Sequence, residues 1–82
     1  MTQYRFTVVL EPDRDEPQRY NVRVPALRGC LTYGESIEDA LANAREAISV
    51  YVESLIADGE PVPLEEYPVI ATTVVVSPDA AA

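Results

Sequence analysis

Residues 24–63 read VPALRGCLTYGESIEDALANAREAISVYVESLIADGEPVP. Pro25 ends a strand, because it has no N–H to give to a ladder. Residues 26–29 turn the chain, and residues 30–33 form a short strand closed by Gly34. Ser36 then opens a helix of about six turns. Its hydroxyl can accept from the Asp39 N–H, and the Asp39 carboxylate can reach back, a shorter variant of the capping box. Glu38 and Asp39 in the first turn complement the positive end of the helix dipole. Ile37, Leu41, Ala44, Ile48, Tyr51 or Val52, and Leu55 recur every three or four residues, so one face is core. Ala40 and Ala47 widen that face and let the helix approach a sheet closely. Asp58 and Gly59 end the helix, and Pro61 and Pro63 keep it from resuming.

Upstream, residues 4–11 alternate: Tyr4, Phe6, Val8 and Leu10 share one face, and Arg5, Thr7, Val9 and Glu11 the other. This is the period of a half-buried strand. Residues 12–18, PDRDEPQ, are polar and proline-punctuated, hence a loop. Residues 19–24 alternate again with Tyr20, Val22 and Val24 inward, so the two strands make an antiparallel hairpin. Downstream, residues 60–68 are a proline-rich connector. Residues 69–76, VIATTVVV, are strongly β-branched and predict a last strand. From Ser77 the chain is a tail, with the ordered core expected over about 3–77 of a single domain spanning 1–82. The order β-β-β-α-β predicts an α+β fold with one sheet and one long helix packed on one face. A right-handed crossover puts the last strand beside the first, giving order 3-2-1-4. That arrangement resembles the front half of the ribonuclease H fold.

A chain of 82 residues buries only roughly 60–65% of the surface its unfolded form exposes. One cysteine excludes an intrachain disulfide, and the absence of histidine argues against structural zinc. Association between chains is the remaining source of extra stability. The lone Cys30 points to a reducing, cytoplasmic setting. No stretch has the makings of a signal peptide or a membrane span. The net charge is −8, from 14 acids against six arginines. Such a field opposes a phosphate backbone and suits a basic protein partner.

Several residues together carry a family resemblance. Pro25, Leu27, Gly29 and Cys30 make a P-x-L-x-G-C turn, and Gly34 closes the strand that follows. Glu38, Ala40, Leu41, Ala44, Glu46 and Ala47 fit an E-x-A-L-x-x-A-x-E-A helix, and Gly59, Val62 and Pro63 its stop. With the preceding hairpin, this ordered set over residues 4–76 resembles the N-terminal domain of the HicB antitoxins. The resemblance implies a type II toxin–antitoxin role: binding a small basic HicA-type toxin of double-stranded-RNA-binding-like fold and blocking its ribonuclease activity. It implies no enzyme activity and no cofactor. Many members continue into a helix-turn-helix or ribbon-helix-helix domain. This sequence has only SPDAAA after its last predicted strand, so direct DNA binding by this chain is not expected. The rival expectation is a stand-alone oligomeric scaffold or regulator with no toxin.

Two acidic clusters are the candidate toxin contacts: Asp13, Asp15 and Glu16 on the hairpin loop, and Glu35, Glu38 and Asp39 at the helix start. Two-metal hydrolysis needs acids converging from the first strand, the helix and the fourth strand. Here Glu11 lies at a strand end, Glu46 lies mid-helix, and VIATTVVV offers none, so no metal site is expected. Cys30 reads as a packed apolar residue behind the turn. The final strand reads as an unprotected edge. It predicts a homo-oligomer, dimer or tetramer, burying Val69, Ile70, Thr72, Val74 and Val76.

Overall fold

The computed structural model describes residues 3–65 and 69–79. Three strands, β1 (Val9–Pro12), β2 (Tyr20–Arg23) and β3 (Leu31–Gly34), precede one helix, α1 (Ile37–Ala57). They form an antiparallel meander in the order β1-β2-β3. Val9 faces Arg23 across the first ladder, and Arg23 faces Leu31 across the second. Among the described residues, the expected α+β arrangement of one helix on one face of one sheet is present.

The connection between β2 and β3 explains the motif that opens this region. Leu27 N–H donates to the Val24 carbonyl (2.9 Å), and Cys30 N–H donates to the Leu27 carbonyl (3.0 Å). These are two successive four-residue turns sharing Leu27. Pro25 takes the second position of the first turn, where its fixed φ is suited. Gly29 takes the third position of the second at φ 77°, a left-handed conformation that a side chain makes costly. Leu27 is thereby driven inward and is 1% exposed. It packs with Val24 and Cys30 beneath Ile48 and Tyr51. The Tyr51 hydroxyl donates to the Arg28 carbonyl (2.9 Å), pinning the turn to the helix.

Both ends of α1 are closed as the sequence predicts. The Ser36 hydroxyl accepts from the Asp39 N–H (3.0 Å). The Asp39 carboxylate reaches one residue further back than a capping box requires, accepting from the Glu35 N–H (2.9 Å). At the other end Glu60 N–H donates to the Leu55 carbonyl and Gly59 N–H to the Ile56 carbonyl, the paired bonds of a Schellman stop. The helix packs chiefly on β3 and then on β2. Its buried line is Ala40, Ala44 and Val52, with Ala47, Ile48, Tyr51 and Leu55 half-buried. Two members of the expected stripe depart from it: Ile37 and Leu41 are exposed, because the helix sits over β2 and β3 and leaves the β1 side uncovered.

The strands differ from expectation at both chain ends. The first ladder begins at Val9, not at residue 4. Extending its register would put Pro25 opposite Thr7, and the partner strand turns away there. Residues 69–76 form no strand: among the described residues, 69–79 carry no ladder and are exposed. The fourth place in the order 3-2-1-4 is therefore not taken by this segment. The physical reason is that β-branched residues favour a pleated, half-buried surface, and a segment without a neighbouring strand has none. The connector does return to the segment that leads into β1, where the Glu65 carboxylate accepts from the N–H and hydroxyl of Thr7. The molecule measures 59 × 29 × 18 Å with a radius of gyration of 16.7 Å, against about 12 Å for a compact chain of this length.

Candidate partner-binding surface

The hairpin loop between β1 and β2 is ordered around Asp13. One carboxylate oxygen accepts from the N–H groups of Asp15 (3.1 Å) and Glu16 (3.0 Å), and the other from the Asn21 side-chain amide (2.8 Å). The backbone closes behind it, Asp13 N–H donating to the Arg19 carbonyl (2.8 Å) and Arg19 N–H to the Glu16 carbonyl (2.9 Å). These donors, Asn21 foremost, hold the Asp13 carboxyl below the usual carboxylate range.

Arg19 joins the loop to the helix start. Its guanidinium lies 3.5 Å from the Glu16 carboxylate and 3.6 Å from that of Glu35. It also sits 4.5 Å from the centroid of the Tyr33 ring, a cation–π contact. The two acidic clusters, separate in sequence, are thus drawn into one surface across the end of the sheet. Within it the six predicted residues have different duties. Asp13 and Asp39 are committed to backbone bonds, and Glu16 and Glu35 flank Arg19. Among the described residues, the carboxylates of Asp15 and Glu38 make no such bond and face solvent.

Arg19 and Tyr33 were not singled out from the sequence. The signal was present: of the three arginines between the two acidic groups, Arg19 lies nearest the first and on the outward phase of its strand. The same sheet face carries the exposed Leu31 and Tyr33, and an Arg23–Glu11 pair at 3.6 Å. Among the described residues, no three carboxylates or thiols converge as a metal cluster would. Cys30 is buried, and burial pushes its thiol pKa up, away from the thiolate that reactivity needs. No helix among the described residues is long and apolar enough to cross a membrane.

A family model described as the HicB-like antitoxin of bacterial toxin–antitoxin systems matches residues 6–79. The chain belongs to the HicB-like antitoxin family. That is a family of antitoxins, not of enzymes. A UPF0150 protein of Synechocystis is 44% identical to this HicB-like chain over 63 residues, 77% of each. Another, from Thermoplasma acidophilum, is 44% identical over 59 residues, 72% of this chain and 83% of its own. The crystal structure of the N-terminal domain of the Burkholderia pseudomallei antitoxin HicB matches with a TM-score of 0.64 at 40% identity. That match covers 73% of this chain and 68% of the other.

Proposed function

We propose that this HicB-like chain binds a small basic HicA-type ribonuclease toxin in the cytoplasm and neutralises it by covering its catalytic surface. The observation that carries this reading is the single acidic surface assembled by Arg19 from the hairpin loop and the helix start. Opposite charge steers encounter and fixes orientation, and a net charge of −8 extends that field over the molecule. The scaffold is read as the front half of a ribonuclease H-like fold, used for adhesion and not for hydrolysis. Within the surface, Asp15 and Glu38 are the contacts open to a partner. Asp13, Glu16, Glu35 and Asp39 shape the surface while contributing charge.

The test is inhibition of a purified HicA-type toxin, read as cleavage of a labelled RNA. Inhibition by the wild-type chain is expected, with affinity falling as salt rises. The D15N/E38Q variant should bind about tenfold more weakly, the loss expected for one or two screened charge contacts. A toxin that cleaves undiminished in the presence of excess chain would overturn the reading. The second reading, an oligomeric scaffold with no toxin, draws on the exposed apolar segment at residues 69–76. A neighbouring gene for a tiny basic protein containing one histidine separates the two.

A further inference from the structure

The face of the sheet turned away from α1 carries apolar side chains in register. Val22 and Gly34 are buried on the helix side, so by alternation Val9, Arg23 and Leu31 point the other way. These three stand in one cross-strand row, Val9 opposite Arg23 and Arg23 opposite Leu31. The next row is Glu11, Asn21 and Tyr33. Leu31 is 69% exposed and Tyr33 51%. Residues directly opposite lie about 5 Å apart. The aliphatic stem of Arg23 therefore stands between Val9 and Leu31 and joins them into one strip.

Charge is arranged around that strip. The Arg23 guanidinium lies 3.6 Å from the Glu11 carboxylate. The Arg19 guanidinium lies between Glu16 and Glu35, against the Tyr33 ring. Both guanidiniums of the face are thus matched, and their three carboxylate partners leave it net negative. Asp15 and Glu38 continue the negative rim at the end nearest Tyr33. An aromatic ring and an arginine stem enclosed by polar groups have the make-up of an interface centre. A negative rim around them repels an acidic surface and a phosphate backbone alike, and complements a basic protein.

We propose that Leu31 and Tyr33, with the Arg23 stem, are the apolar anchor on which a basic protein partner seats, inside the acidic rim. The occupant is the basic toxin of the proposed function, and the inference rests on that reading. The complementary surface presents an aliphatic or aromatic side chain flanked by lysines or arginines. The two parts have separate duties. The rim steers and orients, and its effect is screened by salt. The strip supplies the share of affinity that comes from apolar burial, which salt does not screen.

The test is the Kd of the full chain for the purified HicA-type toxin, by calorimetry at about 20 and 200 mM sodium chloride. The L31T variant keeps a strand-forming residue at an exposed position, so its circular dichroism should match wild type. It should bind about 10- to 100-fold more weakly, the loss expected for one buried leucine, and by the same factor at both salt concentrations. The loss in D15N/E38Q should instead shrink as salt rises. I56T alters an exposed side chain near the C-terminal end of α1 and should bind as wild type does. Wild-type affinity in L31T, a loss in L31T that shrinks with salt, or an equal loss in I56T would each overturn the anchor and leave the acidic surface as the toxin contact. A wild-type chain that does not bind the toxin would overturn both readings.

Discussion

Gly34 has no room for a methyl group. A Cβ built there would lie 2.2 Å from the Ala40 nitrogen and 2.5 Å from its Cα, and both are backbone atoms that cannot swing aside. The close approach exists because Ala40 itself is fully buried and brings the first turn of α1 onto the end of β3. The G34A variant should therefore lose about 3 kcal/mol of stability, the upper range for overpacking. G29A, where nothing lies within 4 Å of the added atom, should lose about 1–2 kcal/mol from left-handed strain alone. Urea unfolding of the two variants would measure the difference, and equal losses would contradict the packing explanation. The sequence marks Gly34 as a strand end. It does not disclose that the helix backbone, six residues on, is the reason.

The hairpin loop illustrates how an element can be held by one carboxylate. Asp13 accepts three hydrogen bonds, and its pKa is lowered in the fold. The sign follows from linkage: the ionised form is favoured by folding, so its contribution is fully present above the unfolded carboxylate pKa of about 3.9. It is lost as pH falls through the lowered native value. The D13A variant should have a lower urea midpoint than wild type at pH 7, and the gap should narrow as pH approaches 3. A gap independent of pH would show that the carboxylate's charge is not what orders the loop. Legibility from sequence divides at this same scale. Ser36, Gly59 and the 24–30 turn could be read because caps and turns satisfy their bonds within a few residues. Residues 69–76 could not, because β-branching states what surface a segment suits and not whether that surface is offered. The six acidic candidates were visible as charge, but their union through Arg19 depends on the register of β2 against β3.

Across the whole molecule, 14 acids against six arginines leave a self-repelling surface, and the ion pairs at 3.5 and 3.6 Å are exposed and offset little of it. Raising sodium chloride from about 20 to 200 mM shortens the screening length from roughly 20 to 7 Å. The melting temperature of the free chain should rise over that range, while inhibition of a basic toxin weakens. A melting temperature that falls with salt would mean that attraction, not repulsion, dominates the surface.

Val8 packs against both apolar clusters of the interior, the one around Val22, Ala40 and Ala44 and the one around Val24, Leu27 and Cys30. It is a side chain common to both, so a cavity made at this position would be shared by the two. It also lines an apolar groove between the start of the chain, at Tyr4 and Phe6, and Leu41, Ile48 and Val52 of α1. Anything seated there would touch a side chain that the helix-facing cluster and the turn-facing cluster have in common.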